Sequence, residues 1–471
     1  MFQTEGDTME TEEKPNMVSA NADMLHGPLA KKLLVFALPI AASSILQQLF
    51  NSADVAVAGR FAEEGALAAV GSNSVLVGLF VNLFVGLSVG VNVVVSQYIG
   101  QQRTKDVNSV VHTSVLFSIL CGLFVMAVGL VSARFLHILI DTPADVLDRA
   151  VLYLRIYCLA IPFITLYNFI SAVLRSIGDT RRPMFCLIIS GVLNVFLNLF
   201  LVIVFHLGVA GVAIATVISN IVSTGIIVWI LCHERESIRM EFRKLRINPR
   251  QLKRVVWIGV PAAVQSAVFS ISNICLQTAV NSFGSSAVAG MAAALNFEYF
   301  GYFIINAFAQ TAITFIGQNY GAAQYPRCRK ILRLCMLEGI IGSAALTAII
   351  LIGRNTLIQV YTIDPQEIEF AMYRMTLAMP FLFLESTYEI TGSALRGMGR
   401  SALPALFTVI GTVVFRVFWV YAVFPHWNSF PTLISVYPVS WALTGGMMIL
   451  YYFGSCRSLF SGEKGLQEVD G

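Results

Sequence analysis

The chain has 471 residues, of which 56% are hydrophobic and only 12% charged; 31 basic and 27 acidic side chains leave a net charge of +4. Soluble domains carry about 25% charged residues, so an ordinary water-soluble protein is excluded. What remains is a polytopic membrane protein, in which the positions of the charges matter more than their sum.

Residues 1–25 are polar and acidic, with Glu5, Asp7, Glu10, Glu12, Glu13 and Asp23 against Lys14. They lack the apolar core of a signal peptide, and 1–30 is predicted to be a disordered cytoplasmic tail. Twelve stretches then reach the roughly 20 apolar residues that a spanning helix needs. They fall near 33–58, 66–99, 108–133, 148–176, 184–206, 210–232, 252–280, 287–317, 328–353, 367–397, 403–424 and 432–455. Residues 31–232 form a predicted N-lobe and 255–456 a predicted C-lobe, joined by a basic linker over 233–254; 457–471 is a second cytoplasmic tail.

The two lobes repeat one another. LPIAASSILQQLFNSADVAVAGRF begins at Leu38 and VPAAVQSAVFSISNICLQTAVNSF at Val260. Pro39, Asn51 and Phe61 recur at one fixed spacing as Pro261, Asn273 and Phe283. Past a single-residue gap, Ala66, Gln97, Gly100, Leu174, Arg175 and Pro183 recur at a second fixed spacing as Ala287, Gln318, Gly321, Leu395, Arg396 and Pro404. Six spans per copy is an even number, so both copies point the same way, related by an axis along the membrane normal. The fold class is therefore all-α: twelve transmembrane helices in two parallel six-helix repeats. With the N-terminus inside, the inner connections hold 23 lysines and arginines, and the outer ones only Arg60, Arg134, Arg149 and Arg354. This bias places both termini in the cytoplasm. The basic linker reads as an orientation signal lying on anionic headgroups.

Ionisable groups at membrane depth are costly, so each is a functional candidate. Asp54 lies in the first span. Asn194 and Asn198 are four apart in the fifth, on one helix face, and Thr216 opens the sixth. All four fall in the outer half or middle of the N-lobe. One carboxylate and several neutral oxygens suit a Na⁺ shell or a hydrogen-bonded proton site; interhelical hydrogen bonding is the plainer alternative. The C-lobe carries Glu298, Glu385, Glu389 and Arg416. Helical rise from the inner connections brings Arg416 to a depth that overlaps Glu385 and Glu389, so Arg416 is expected to pair with one of them. Glu298, among Tyr299, Phe300, Tyr302 and Phe303, suits a flat cation held by charge and ring faces. Pro39, Pro162, Pro261 and Pro380 each remove a helical hydrogen bond and permit bending. Gly178–Thr180 and Gly397–Arg400 read as turns. The eight cysteines show no metal-type spacing. No motif of a membrane enzyme or of a Walker-type pump is present, so no enzymatic activity, resident cofactor or nucleic-acid partner is expected.

Beyond these patterns, the chain resembles the multidrug and toxic compound extrusion (MATE) carriers of bacteria over nearly all of 30–455. The resemblance rests on LPIAASSILQQLFNSADVAVAGR, LRSIGDTRRP, NVFLNLF with GVAGVAIATVIS, AFAQTAITFIGQNYGA and GSALRGMGRSALP, in order and in both halves. It implies a V-shaped pair of six-helix lobes in the cell membrane, acting as a monomer. It also implies export of small, mostly cationic organic compounds against inward H⁺ or Na⁺. Asp54 looks like the helix-1 aspartate that couples to the ion, although Asn198 stands where a second aspartate is common. Glu385 looks like the helix-10 acid and Glu298 like the helix-8 acid; the helix-7 acid of some branches is missing, its neighbourhood holding Gln265, Ser266 and Phe269. A flippase for lipid-linked cargo, from the related superfamily, is the rival reading. Arg416, read as the one deep basic residue against four acids, weighs against it.

Overall fold

A computed structural model describes residues 23–62, 66–140, 142–234 and 237–460. Regular structure among them is entirely helical. The long apolar stretches become α1 (Leu29–Phe61), α2 (Ala66–Gly100), α3 (Thr104–Leu139), α6 (Arg181–Leu199), α7 (Gly208–Cys232), α8 (Pro249–Asn281), α9 (Ser285–Gly321) and α10 (Tyr325–Leu357). Near the C-terminus, Ala402–His426 and Phe430–Ser455 are also long and apolar enough to span.

Two predicted spans are divided, each at a proline. The stretch 148–176 is α4 (Ala144–Cys158) and α5 (Ile161–Ser176), which meet at 46° beside Pro162. The stretch 367–397 is α11 (Pro365–Leu377) and α12 (Phe383–Gly397), joined by a 3₁₀ turn over Met379–Phe381 that contains Pro380. Proline has no N–H for the preceding turn, and here the helix restarts rather than bends. Pro39 and Pro261 instead stay inside α1 and α8. The turns at 177–180 and 398–400 form as expected, with Gly178 and Gly399 at φ of 96° and 86°.

The 1–30 tail needs a correction at its end. Met24 is buried, and α1 begins at Leu29. The Met24 carbonyl accepts from Asn319 Nδ2 at 3.2 Å and Arg327 Nε at 3.4 Å; Arg327 Nη2 also reaches the carbonyls of His26 and Gly27. Residues 1–22 and 461–471 lie outside the described residues, while the last helix continues to Phe460.

The two halves exchange their leading helices. Leu29, Leu33 and Phe36 of α1 sit in the core of the second half, and Val255, Ile258 and Ala263 of α8 in the core of the first. Farther along, Val57 and Ala58 of α1 pack with α4 and α7, and Leu276 and Val280 of α8 with the second half. The cores are thus interlocked at the basic end and split at the other. There Val57, Tyr153 and Val212 belong to one cluster, and Ala294, Phe297 and Met375 to a separate one.

The join at the basic end is a pseudo-twofold. Gln97 Nε2 donates to the Gly397 carbonyl at 3.0 Å, and Gln318 Nε2 to the Ser176 carbonyl at 2.6 Å. These are the same bond in the two copies, since the repeat carries Gln97 onto Gln318 and Ser176 onto Gly397. A Cβ on Gly100 would strike the Gln318 carbonyl, and one on Gly321 the Gln97 carbonyl. On the same seam Gly86 meets the Ala263 backbone, and Gly90 meets Val255 and Gly259. Gly86 and Gly90 make a small-xxx-small face, which lets helix backbones approach closely. An axis along the bundle relates the halves, as two six-span copies require.

Candidate functional site

In the first half, α1, α6, α7 and α4 converge beside the split end. Asn198 Nδ2 donates to Asp54 Oδ1 at 2.5 Å and lies 3.3 Å from Asn194 Oδ1. Asn194 Nδ2 continues to Thr216 Oγ1 at 3.4 Å, and Thr216 ends the chain on the Val212 carbonyl at 3.1 Å. All four predicted residues are therefore brought together. Their donors point along the chain, which leaves acceptors over. Asn198 Oδ1 is buried and receives no hydrogen bond, and Asp54 has no cationic side chain within 4 Å among the described residues. A carboxylate oxygen and a bare amide oxygen in one cluster suit a proton or a small cation. Directly after Asn198, the helix widens into a π-helical stretch over Phe200–Val204, a feature frequent at functional sites.

Tyr153 and Tyr157 of α4 complete the surroundings. Their rings stack 6.2 Å apart, and both interact electrostatically with Asp54. Their spacing of four residues was the available signal, but it reads equally as packing.

The second half corrects two expectations. Arg416 makes no ion pair with Glu385 or Glu389 among the described residues. Its Nε donates to Ser440 Oγ at 3.1 Å, its guanidinium lies 4.7 Å from the Tyr437 ring and 5.5 Å from that of Phe269, and its Nη1 is buried without a partner. The physical reason is that π-helical turns over Val409–Val414 and Trp419–Val423 flank it. They shift the face on which residue 416 emerges, so depth alone did not give its direction. Glu298 is the acid that is paired. Arg374 of α11 holds it with two bonds, Nε to Oε2 at 2.8 Å and Nη2 to Oε1 at 2.9 Å, in a site where Arg374 is 1% exposed. Glu298 is thus not an open seat for a flat cation. Its neighbours Tyr299 and Phe303 stack on each other at 6.1 Å.

Glu385 accepts from Tyr388 Oη at 2.8 Å, and Glu389 interacts with Arg396, whose Nη2 donates to Gln265 at 2.6 Å. Arg416 is therefore not the one deep basic residue: Arg374 and Arg396 are buried as well. Glu338 of α10 was also missed; it is half-buried, and one carboxylate oxygen has no hydrogen bond.

The two sites occupy matching places. Tyr153 maps onto Arg374, Thr216 onto Tyr437 and Ser219 onto Ser440 by the spacing that carries Gly100 onto Gly321. Asn194 falls on Phe415 by that same spacing, so Arg416 emerges one residue further along, just after the π-helical turn over Val409–Val414. The contact of Asn194 with Thr216 has a counterpart one residue along, in that of Arg416 with Tyr437.

A family model, MatE, matches residues 39–200 and again 261–422. The chain belongs to the MatE family. The two matches begin at Pro39 and Pro261, the same pair of prolines that opens the repeat, and the protein is a multi-pass membrane transporter. The probable multidrug resistance protein NorM of Thermotoga maritima is 26% identical over 392 residues, covering 81% of this chain and 83% of that protein. The probable multidrug resistance protein YpnP of Bacillus subtilis is 26% identical over 449 residues, covering 93% and 95%. The multidrug export protein MepA of Staphylococcus aureus is 20% identical over 395 residues, covering 83% and 87%.

Among solved structures, an outward-facing multidrug resistance MATE transporter of the MOP superfamily superposes with a TM-score of 0.87. A MOP superfamily transporter from Pyrococcus furiosus, described as having a binding pocket of reversed polarity that suggests a different function, superposes at 0.88. Each is 20% identical, covering 94% of this chain and 99% of the other, so the likeness speaks for the fold.

Proposed function

We propose that this MatE protein is a secondary antiporter of the cytoplasmic membrane, with both termini inside. It releases small organic, mostly cationic compounds outward while H⁺ or Na⁺ moves in. One observation carries the reading: Asp54 stands at membrane depth with only an amide to hold it, beside the donor-less oxygen of Asn198. An uncompensated carboxylate in such a place needs a proton or a cation. From the open outer end, the coupling ion reaches Asp54, Asn198, Asn194 and Thr216. Its binding removes the negative charge of Asp54, and cargo leaves as its electrostatic hold weakens. Glu385 and Glu389 form a second acidic region that attracts cargo, with Glu298 committed to Arg374. The monomer suffices, because both halves of the cleft come from one chain.

Energetics bound the exchange. A tenfold gradient is worth about 1.4 kcal/mol, and moving one charge across 100 mV about 2.3 kcal/mol. One H⁺ for one monovalent cation draws only on the pH gradient, whereas two H⁺ also draw on voltage.

A second reading has its own observation. Three buried guanidiniums in the second half, with Arg416 lacking a paired carboxylate, suit an amphiphilic cargo bearing an anionic group, as a lipid flippase carries. Sealed liposomes preloaded with a fluorescent organic cation decide between them. Under a pH or a Na⁺ gradient applied separately, cation movement is expected, and Asp54→Asn is expected to lower its gradient-driven rate at least about tenfold, or about 1.4 kcal/mol. No cation movement under either gradient, with translocation of an anionic lipid analogue, would establish the second reading instead.

A further inference from the structure

Away from the cleft, at the basic end, the linker between the halves folds back onto α3. Asn248 N donates to Thr113 Oγ1 at 3.1 Å, Asn248 Nδ2 to Ser109 Oγ at 3.2 Å, and Glu241 N to His112 Nε2 at 3.1 Å. Between linker and helix lies a cavity of about 400 Å³, lined among others by Lys105, Ser109, His112, Arg243, Lys244 and Arg246. The charges inside do not balance. Lys244 faces Glu241 at 2.9 Å, and the nearby Asp106 is taken by Arg103 at 2.7 Å. Among the described residues, Lys105, Arg243 and Arg246 have no carboxylate within 4 Å. Because His112 accepts a hydrogen bond at Nε2, it is neutral there and donates from Nδ1 to the Asn108 carbonyl at 2.8 Å. The surplus is three positive charges around one hollow.

A second observation says what fills it. On the short 3₁₀ turn that carries Arg243, Phe242 is 68% exposed, and Ile247 emerges beside Arg246. At the same end, Trp229 near the close of α7 and Trp257 near the start of α8 are 62% and 72% exposed. Exposed aromatics at helix ends mark the membrane interface. The cavity therefore opens where headgroups lie, with apolar side chains next to its cations.

We propose that this cavity is a binding site for the phosphate of an anionic phospholipid from the surrounding leaflet, with its acyl chains against Phe242 and Ile247. The bound lipid ties the linker to α3, and so one half of the transporter to the other. Each cation near an anionic lipid surface is worth about fivefold in affinity, so removing two costs on the order of twentyfold.

The test uses the full chain in detergent, with phosphatidylglycerol retention read by native mass spectrometry. Wild type is expected to retain phosphatidylglycerol and not phosphatidylcholine. R243Q/R246Q is expected to weaken retention on the order of twentyfold, and Lys105→Gln, which leaves the linker intact, about fivefold. Substituting Lys330 and Arg333, exposed bases at the same end but outside the cavity, is expected to change nothing. Equal retention by wild type, R243Q/R246Q and Lys105→Gln would overturn the proposal. So would tight binding of inorganic phosphate alone that displaces the lipid, since the natural ligand would then be a soluble phosphate compound.

Discussion

The two halves hold their polar sites at equivalent places but in opposite electrical states. In the first half Asp54 is held by the Asn198 amide alone, with Tyr153 and Tyr157 nearby, and no cationic side chain neutralises it among the described residues. In the second, Arg374 stands where Tyr153 stands and Arg416 one residue past the place of Asn194; Tyr437 lies between the two guanidiniums, 4.1 Å from one and 4.7 Å from the other. Duplication kept the scaffold while the charges diverged. A carboxylate compensated by an arginine holds helices together, and an uncompensated one is free to exchange its counter-ion.

This contrast makes Arg374→Ala the most damaging change. It strands Glu298 in a buried site, with an expected loss of about 3–5 kcal/mol. Removing both partners as Arg374→Met with Glu298→Gln should restore most of that. Thermal unfolding in detergent reads both, and an Arg374→Ala protein as stable as wild type would mean that the second half is no more structural than the first. A smaller effect is expected for Tyr437→Leu, which removes two ring-to-guanidinium contacts at about 1 kcal/mol each. Its equivalent in the first half, Thr216→Val, loses the long hydrogen bond from Asn194 and the bond back to Val212 of its own helix, together worth about 1 kcal/mol because such a back-bond adds little. Equal losses at the two positions would blur the distinction. The smallest shift is expected for Arg416→Met. Deleting a buried charge that has no paired carboxylate should be neutral or stabilising, within about 1 kcal/mol. A large destabilisation there would mean that Ser440, the Tyr437 and Phe269 rings and the charge of Glu385 together outweigh the cost of burying the guanidinium.

Much of this was legible in the chain. The repeat implied two lobes of like orientation, and Asp54, Asn194, Asn198 and Thr216, singled out by depth and spacing, lie together in the fold, while Tyr153 and Tyr157 beside them were not singled out. Short-range periodicity carries such information because α6 stays regular up to Asn198. The second site failed for identifiable reasons. Arg374 and Glu298 lie 76 residues apart on different helices, and no periodic pattern joins them. Depth estimated from helical rise says nothing of direction, and the π-helical turns around Arg416 remove the regularity that would supply it. The repeat itself held the missing clue, for the spacing that carries Gly100 onto Gly321 also carries Tyr153 onto Arg374.

The seam at the basic end behaves as a joint without teeth. Where Gly86, Gly90, Gly100 and Gly321 meet the opposite half, backbone lies on backbone. Interdigitated side chains would have to leave their rotamers before two such faces could part; smooth faces need not. The seam can therefore be tight enough to stop water and ions when shut, yet break with little friction. Its few hydrogen bonds, Gln97 to Gly397 and Gln318 to Ser176 among them, act as catches that release as a symmetric pair.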